Sequence, residues 1–125
     1  MMPIDLHYIC KQGENHRMIW EGIFDTGNWT ADSDTCDLAI NGRIFLHVNQ
    51  KSPAWRGGNI TGWRAAPSPE NHRKIFTFEP ISDFRVTCPV PWARQSAIVW
   101  WNDDRTDWMT RDEYFKNHKR QKESI

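Results

Sequence analysis

The sequence has little of what usually marks a disulfide framework or a metal site. Its three cysteines, Cys10, Cys36 and Cys88, are scattered and show no Cys-x-x-Cys spacing. Such a set favours neither a disulfide framework nor a zinc site and is typical of a reducing compartment. The five histidines also lack the spacing of metal ligands, so we expect no metal and no other cofactor.

Long apolar runs are missing too. No segment approaches the roughly 18 consecutive apolar residues that a membrane-spanning helix needs. The segment Met1 to Leu6 has neither the basic stretch nor the apolar stretch of a signal peptide. The sequence therefore predicts a cytoplasmic protein with no membrane partner.

Motifs of the common enzyme classes are not found in the sequence. It contains no Gly-x-Ser-x-Gly, no phosphate-binding P-loop and no His-Glu-x-x-His. We therefore expect binding rather than turnover and assign no catalytic residue. An enzyme is left open as an alternative, with Lys51, Asp25 or His47 as its acid or base.

The net charge is zero, from 16 basic and 16 acidic residues, which argues against a protein that coats nucleic acid by bulk charge. The charges are unevenly distributed. Residues 1–50 hold three basic and seven acidic residues, whereas residues 51–100 hold seven and three. This pattern fits either a basic surface in the middle of the chain or ordinary solvated charges.

The chain is long enough for one hydrophobic core. Its 125 residues and 14.8 kDa predict a single domain, 1–125, whose last residues, 121–125, fray. Eight Trp, six Phe and two Tyr supply enough rings for a small core, which excludes intrinsic disorder for most of the chain.

Alternating apolar and polar residues predict β-strands. The clearest case is Arg43–Asn49, in which Ile44, Leu46 and Val48 alternate with polar or aromatic residues. Four further strands are predicted at 59–65, 74–79, 84–88 and 96–101. The strands at 43–49, 59–65 and 74–79 should be consecutive antiparallel neighbours, since no crossover helix separates them. The predicted buried side chains are Ile44, Leu46, Ile60, Ile75, Val86 and Ile98.

Two short helices are predicted. Thr30 can cap a helix over 31–40, which Asn41-Gly42 would end. The second begins at Thr110, where Thr110-Arg-Asp-Glu113 forms a capping box. The tetrapeptide Glu-Asn-His-Arg, at 14–17 and again at 70–73, is interpreted as a polar turn in both places.

Tryptophan is far more frequent than in ordinary proteins, so some of its rings should lie at the surface or line a pocket. Four lie beside polar or loop residues: Trp29, Trp55, Trp63 and Trp92. A flat ring of this kind can stack on a nucleobase or hold a cation. For each ring taken singly, ordinary packing is the alternative.

Two polar residues are further candidates for binding. Asn28, in a predicted Gly turn before the first helix, can donate and accept hydrogen bonds at once. A plain helix cap is the alternative there. His47 points to the face opposite Leu46, where a structural histidine is the alternative.

The order of these elements resembles the PUA-like superfamily, which includes EVE, ASCH and YTH domains. The resemblance covers about residues 20–80 and is carried by the Gly27-Asn-Trp29 turn, the helix ending at Leu38-Ala-Ile-Asn-Gly42, the strand Ile44-Phe-Leu-His47 and the strand Gly58-Asn-Ile-Thr-Gly62. It implies an α+β fold, a small β-barrel of about five or six mainly antiparallel strands with two short helices.

The resemblance also implies a function: a binding module that recognises a modified or flipped base of DNA or RNA in an aromatic pocket. It places Asn28 and Trp29 at the pocket floor, His47 at the end of the second strand, and Ser52 to Arg56 on a flanking loop. We expect rings from Trp29, Trp55 and Trp63 to sandwich the base.

The predicted phosphate contacts are Lys51, Arg56, Arg64 and Arg85. Two other functions stay open: an ASCH-like hydrolase of modified nucleosides, and a protein-binding adaptor that uses exposed Trp and Arg. The sequence leaves the ligand and the oligomeric state undetermined.

Overall fold

Eight strands and two helices form along the described part of the chain, residues 4–102 and 104–123 of a computed structural model. In chain order they are β1 (Asp5–Ile9), β2 (His16–Trp20), β3 (Ile23–Thr30), α1 (Ser33–Ala39), β4 (Arg43–His47), β5 (Arg56–Ala65), β6 (Arg73–Pro80), β7 (Ser96–Trp101), β8 (Trp108–Met109) and α2 (Arg111–Glu123). None of the helices in these ranges is long and apolar enough to cross a membrane.

The strands form one mixed sheet in the order β2-β3-β6-β5-β4-β1-β7-β8. Strands β1 and β4 are parallel, and the other neighbouring pairs are antiparallel. The predicted succession of three antiparallel strands is confirmed as β4, β5 and β6. The strand predicted at 96–101 is confirmed as β7.

The predicted fold class, an α+β barrel of five or six strands, is wrong. The fold is mostly β, and its sheet is open: β2 and β8 form its two ends and do not pair with each other within the described residues. The β2–β3 hairpin lies at one end of the strand order and the β7–β8 hairpin at the other. Strand β1 was not predicted because the polar residues Asp5 and His7 occupy buried positions in it.

The strand predicted at 84–88 is also wrong, because this segment belongs to a loop between β6 and β7. Its backbone contact with the rest of the fold is a hydrogen bond from Ala54 N to Val86 O, 2.9 Å long. Pro89 and Pro91 follow and have no N–H to donate to a neighbouring strand. The loop places Trp92 against the rings of His7 and His47.

Helix α1 is shorter than predicted, and its cap is different. The carboxylate of Asp32, not the Thr30 hydroxyl, accepts the hydrogen bond from Thr35 N at 2.7 Å, because Thr30 still belongs to β3. The predicted stop is confirmed: Asn41 has a φ of 70°, and a Cβ on Gly42 would lie 2.0 Å from Ile4 O.

The Thr110 cap of α2 is confirmed by a 3.1 Å hydrogen bond from Glu113 N to Thr110 Oγ1. The fraying of residues 121–125 stays a prediction, as does the single domain 1–125. Residues 124 and 125 lie outside the described residues.

The core lies on the inner face of the sheet. Ile44, Leu46 and Ile60 are buried there as predicted. The prediction is wrong for Ile75, Val86 and Ile98, which are only partly buried. Ile75 alternates along β6 with the buried Phe76, and Val86 lies in the loop rather than in a strand.

Candidate functional site

A groove lies where β1, β3 and the beginning of β7 approach one another. It consists of two cavities of about 590 and 460 Å³, both of which are lined by Trp29, Arg73 and Gln95. We call the two cavities together, with every residue that lines either of them, the Trp29 groove. Each volume lies within the range of about 300–1,000 Å³ that small-molecule pockets occupy.

A β-bulge in β3 directs Trp29 into this groove. In a regular strand, residues 26 and 29 would point to opposite faces. The register between β3 and β6 shifts between Thr26 and Trp29, which brings both side chains to the same face. Gly27 lies within the bulge, where a Cβ would approach Ile75 Cγ1 to 2.8 Å, so a larger residue would push β6 away.

Two contacts fix the orientation of the Trp29 indole. Its Nε1 donates a 3.0 Å hydrogen bond to Thr26 Oγ1, and its ring stacks on Tyr8 with centroids 4.5 Å apart. The residue is 8% exposed, and the part that is accessible faces the groove. Trp29 is therefore a core residue and a groove residue at once.

Polar side chains surround the ring. Asn28 Nδ2 donates to Glu70 Oε2 at 3.0 Å, which sets the orientation of the amide. Arg73 Nη1 donates to the backbone oxygen of Asn28 at 3.4 Å, so its guanidinium is held at the same wall. Gln95 supplies a second amide to both cavities. The groove thus combines a flat ring with two amides and a guanidinium.

The charges along the groove have both signs. Its basic residues are Lys11, Arg73 and Arg94, and its acidic residues are Glu14 and Glu70. The excess of positive charge is small. Charge alone would therefore hold a polyanion weakly, and specificity would depend on the ring and the amides.

Two groove residues that could act as nucleophiles are not activated. Burial raises the pKa of the Tyr8 hydroxyl, which donates to Thr30 O at 3.4 Å. Burial, and then the charge of Glu14, raise the pKa of the Cys10 thiol to about 11. A thiol with this pKa is protonated at neutral pH and is a poor nucleophile. Neither group is therefore an activated nucleophile.

The structure does not bring the other two predicted cage rings to this groove. Trp55 Nε1 donates to Cys10 O at 3.2 Å, and its ring meets His16 edge to face. Trp63 Nε1 donates to Asp37 Oδ1 at 2.9 Å and so connects β5 to α1. Neither ring lines the cavities that Trp29 lines.

His47 lies against Trp92 of the loop between β6 and β7, and Ser52 lies in the loop between β4 and β5. His47 is fully buried; its Nδ1 lies 3.0 Å from Ser52 O and its Nε2 lies 2.8 Å from His7 Nδ1. Since a carbonyl oxygen only accepts, His47 Nδ1 carries the proton and His47 Nε2 accepts from His7. Burial lowers the pKa of His47, and burial together with the neighbouring His47 lowers that of His7 to about 3. Both rings are therefore neutral, and the hydrogen bond between them joins β1 to β4.

The four predicted phosphate contacts lie outside the Trp29 groove. Lys51 is exposed, Arg56 lies over the Phe24 ring, and Arg85 lies over the Phe84 ring. Arg64 donates to both carboxylate oxygens of Asp25, at 3.2 and 2.6 Å.

The residues of the enzyme alternative do not meet either. Burial alone would raise the pKa of Asp25, but hydrogen bonds from Arg64 and Thr77 lower it below its usual value. Asp25 is therefore a paired anion. His47 has both ring nitrogens engaged, and Lys51 lies at the surface.

The sequence interpretation missed Tyr8, Arg73, Arg94 and Gln95. The Glu-Asn-His-Arg repeat in the sequence was a signal for one of these residues, Arg73. Both copies of the Glu-Asn-His-Arg repeat contribute to the first cavity, through Glu14 and Asn15 and through Glu70 and Arg73. The two polar turns therefore lie at one place in the fold, although they are far apart in the chain.

Comparisons with protein-family models, curated proteins and solved structures find no match to this chain. The resemblance to PUA-like domains therefore stays a prediction.

Proposed function

We propose that this protein is a binding module that takes up one modified or flipped base of DNA or RNA in the Trp29 groove, acting in the cytoplasm. The observation that carries the proposal is the position of Trp29, whose ring lines both cavities of the groove beside two amides and a guanidinium. Stacking on an aromatic ring contributes about 1–3 kcal/mol per base and is available to every base.

The amides of Asn28 and Gln95 suit the edge of a base. Each offers a donor and an acceptor, which matches the mixed donors and acceptors of a base edge. A base must leave its stack to present this edge, and a modified or mismatched base does so at lower cost. A modification would then be read by its fit against the ring and the amides.

Arg73 and Arg94 suit the backbone that carries the base. Arginine side chains contact phosphate without reading sequence. The carboxylate of Glu70, beside Arg73, opposes a continuous track of phosphates. We therefore expect recognition of one nucleotide and its flanking phosphates rather than of a long duplex.

The proposal is tested by equilibrium binding with defined probes. These are the 5′-monophosphates of the four standard nucleosides and of their base-methylated forms, and short single- and double-stranded oligonucleotides with or without one methylated base. Arg73→Ala should weaken binding to all oligonucleotides and make the salt slope shallower by about one phosphate contact. Trp29→Phe should reduce the preference for the methylated base.

Two variants outside the groove are matched controls. Arg85→Ala removes an exposed arginine, and Trp20→Ala removes an exposed tryptophan. Both should bind as the wild type does. If no probe binds, or if Arg85→Ala weakens binding as much as Arg73→Ala, the proposed function is wrong.

A further inference from the structure

One end of the sheet exposes three consecutive apolar side chains. They lie in β2, where Met18 is 59% exposed, Ile19 43% and Trp20 73%. Strand β2 pairs with β3 on one side, and within the described residues no strand pairs with its other side.

An edge of this kind readily accepts another strand. Among the described residues its outward N–H and C=O groups have no strand partner, and natural proteins usually block such edges with charged residues, proline, a bulge or a covering element. Strand β2 has the sequence His-Arg-Met-Ile-Trp; it has one charged residue, Arg17, and a bulge, and neither covers the three exposed apolar side chains. Trp20, with a flat and amphipathic ring, is a residue type enriched at protein interfaces.

We infer that β2 pairs with β2 of a second copy of this chain, antiparallel and with Ile19 facing Ile19 on the two-fold axis. This inference does not depend on the proposed function. In this register Arg17 lies opposite Glu21 of the second copy, and Met18 lies opposite its Trp20. The two-fold axis makes each of these contacts twice.

Charge selects this register over its neighbour. If Met18 faced Met18, Arg17 would lie opposite Ile19 of the second copy and Glu21 opposite its Asn15. Only the Ile19 register puts the two opposite charges directly across from each other, where cross-strand pairs interact best. Arg17 and Glu21 are both exposed; Arg17 also lies opposite Asp25 of β3, whose carboxylate Arg64 already binds.

The other end of the sheet is a poorer choice. Strand β8 has two residues, Trp108 and Met109, and offers little backbone to pair. Strand β2 has a bulge between Met18 and Trp20 and ends at Trp20, so the Ile19 register pairs only Met18–Trp20 of the two strands and places Arg17 opposite Glu21, the first residue of the turn. An interface this small belongs to the weak class, so we expect a dissociation constant on the order of micromolar or above.

Sedimentation velocity of the full chain, over micromolar to millimolar concentration, tests the inference. The wild type should shift from monomer to dimer as concentration rises. Ile19→Lys should abolish the shift, because it places two like charges face to face. Trp108→Lys, a matched change of an exposed residue at the opposite end of the sheet, should leave it unchanged.

A charge swap tests the register without changing the apolar residues. Arg17→Glu and Glu21→Arg should each weaken the dimer at least several-fold, and the double variant should restore it. Thermal unfolding of each variant shows whether the monomer is folded, and Glu21→Arg, in an exposed turn, is the variant least able to disturb it. A wild type that stays monomeric, a dimer that survives Ile19→Lys, or a double variant that is not restored would each overturn the inference.

Discussion

The indole of Trp29 stacks on the phenol ring of Tyr8, with the two ring planes 13° apart. These residues belong to β3 and β1, which three other strands separate in the sheet. The contact requires the open sheet to curve, so that side chains of β3 and β1 meet across its inner face. One wall of the Trp29 groove is therefore built by a contact between distant strands.

The hydrogen bond from Trp29 Nε1 to Thr26 Oγ1 should contribute measurably to stability. Thr26→Val keeps the shape of the side chain but leaves the indole N–H without its acceptor. We expect a loss of about 1–3 kcal/mol in the free energy of unfolding, measured by urea denaturation. Thr87→Val, the same change at an exposed threonine of the loop between β6 and β7, should cost less than about 0.5 kcal/mol. Equal losses at the two positions would contradict the role of this bond.

The buried histidines should make stability depend on pH. The pKa values of His7, His16 and His47 are all lowered in the folded chain by burial, so the unfolded chain binds more protons below about pH 6.5. Stability should therefore be complete above that pH and fall as the pH decreases. His7, whose folded pKa is about 3, should contribute a slope that approaches about 1.4 kcal/mol per pH unit.

The variant His7→Phe removes the proton that His7 takes up when the chain unfolds at low pH. Its unfolding free energy, measured by urea denaturation between pH 7 and pH 5, should fall less steeply than that of the wild type. The expected difference averages about 1 kcal/mol per pH unit over this range and approaches about 1.4 at its lower end, since up to one proton fewer is taken up on unfolding. A slope equal to that of the wild type would show that His7 titrates alike in both states.

Asp5 should be more important for stability than other carboxylates. It is 1% exposed, and its oxygens accept from Arg43 and Arg105, at 2.7 and 2.6 Å, and from Trp101 Nε1 at 2.8 Å. Asp5→Asn leaves both guanidinium groups without their anion, so we expect a loss of about 3–5 kcal/mol. Asp83→Asn, at an exposed site, should cost less than about 0.5 kcal/mol. A small loss at Asp5 would show that water replaces the carboxylate there.

The β4 strand offers a direct test of the core. Leu46 is fully buried and Val48, two residues later, is 45% exposed. Leu46→Ala should cost about 2–5 kcal/mol, whereas Val48→Ala should cost less than about 0.5 kcal/mol. Thermal or urea unfolding measures both, and similar losses would mean that β4 continues past His47.

The sequence predicted the elements whose signal is local. Strand β4 was recognised from the alternation of Ile44 and Leu46, and the start of α2 from the spacing of Thr110 and Glu113. Strand β1 could not be recognised in this way, because Asp5 is buried only by virtue of arginines 38 and 100 residues further along the chain. The number of strands and the openness of the sheet were therefore mispredicted.

The candidate site, too, could be predicted from the sequence only where its signal is local. Asn28 and Trp29 were chosen from a local Gly-Asn-Trp motif, and both line the groove. The predicted phosphate contacts rest on the basic charge of residues 51–100, and the structure places Arg73 at the groove instead of Arg64, which is paired with Asp25. Which cation lines a cavity depends on pairings between distant strands, and these are not visible in local sequence.

The central claim is that a base enters the Trp29 groove, and one NMR titration tests it most directly. The probe is a short single-stranded oligonucleotide with one methylated base, added to ¹⁵N-labelled protein. The indole N–H of Trp29, assigned through Trp29→Phe, and the side-chain amides of Asn28 and Gln95 should shift together as binding saturates. The indole signals of Trp20 and Trp108 should not move. Saturating shifts confined to Trp55, Trp63 or the surface around Arg85, with Trp29 unchanged, would contradict the account.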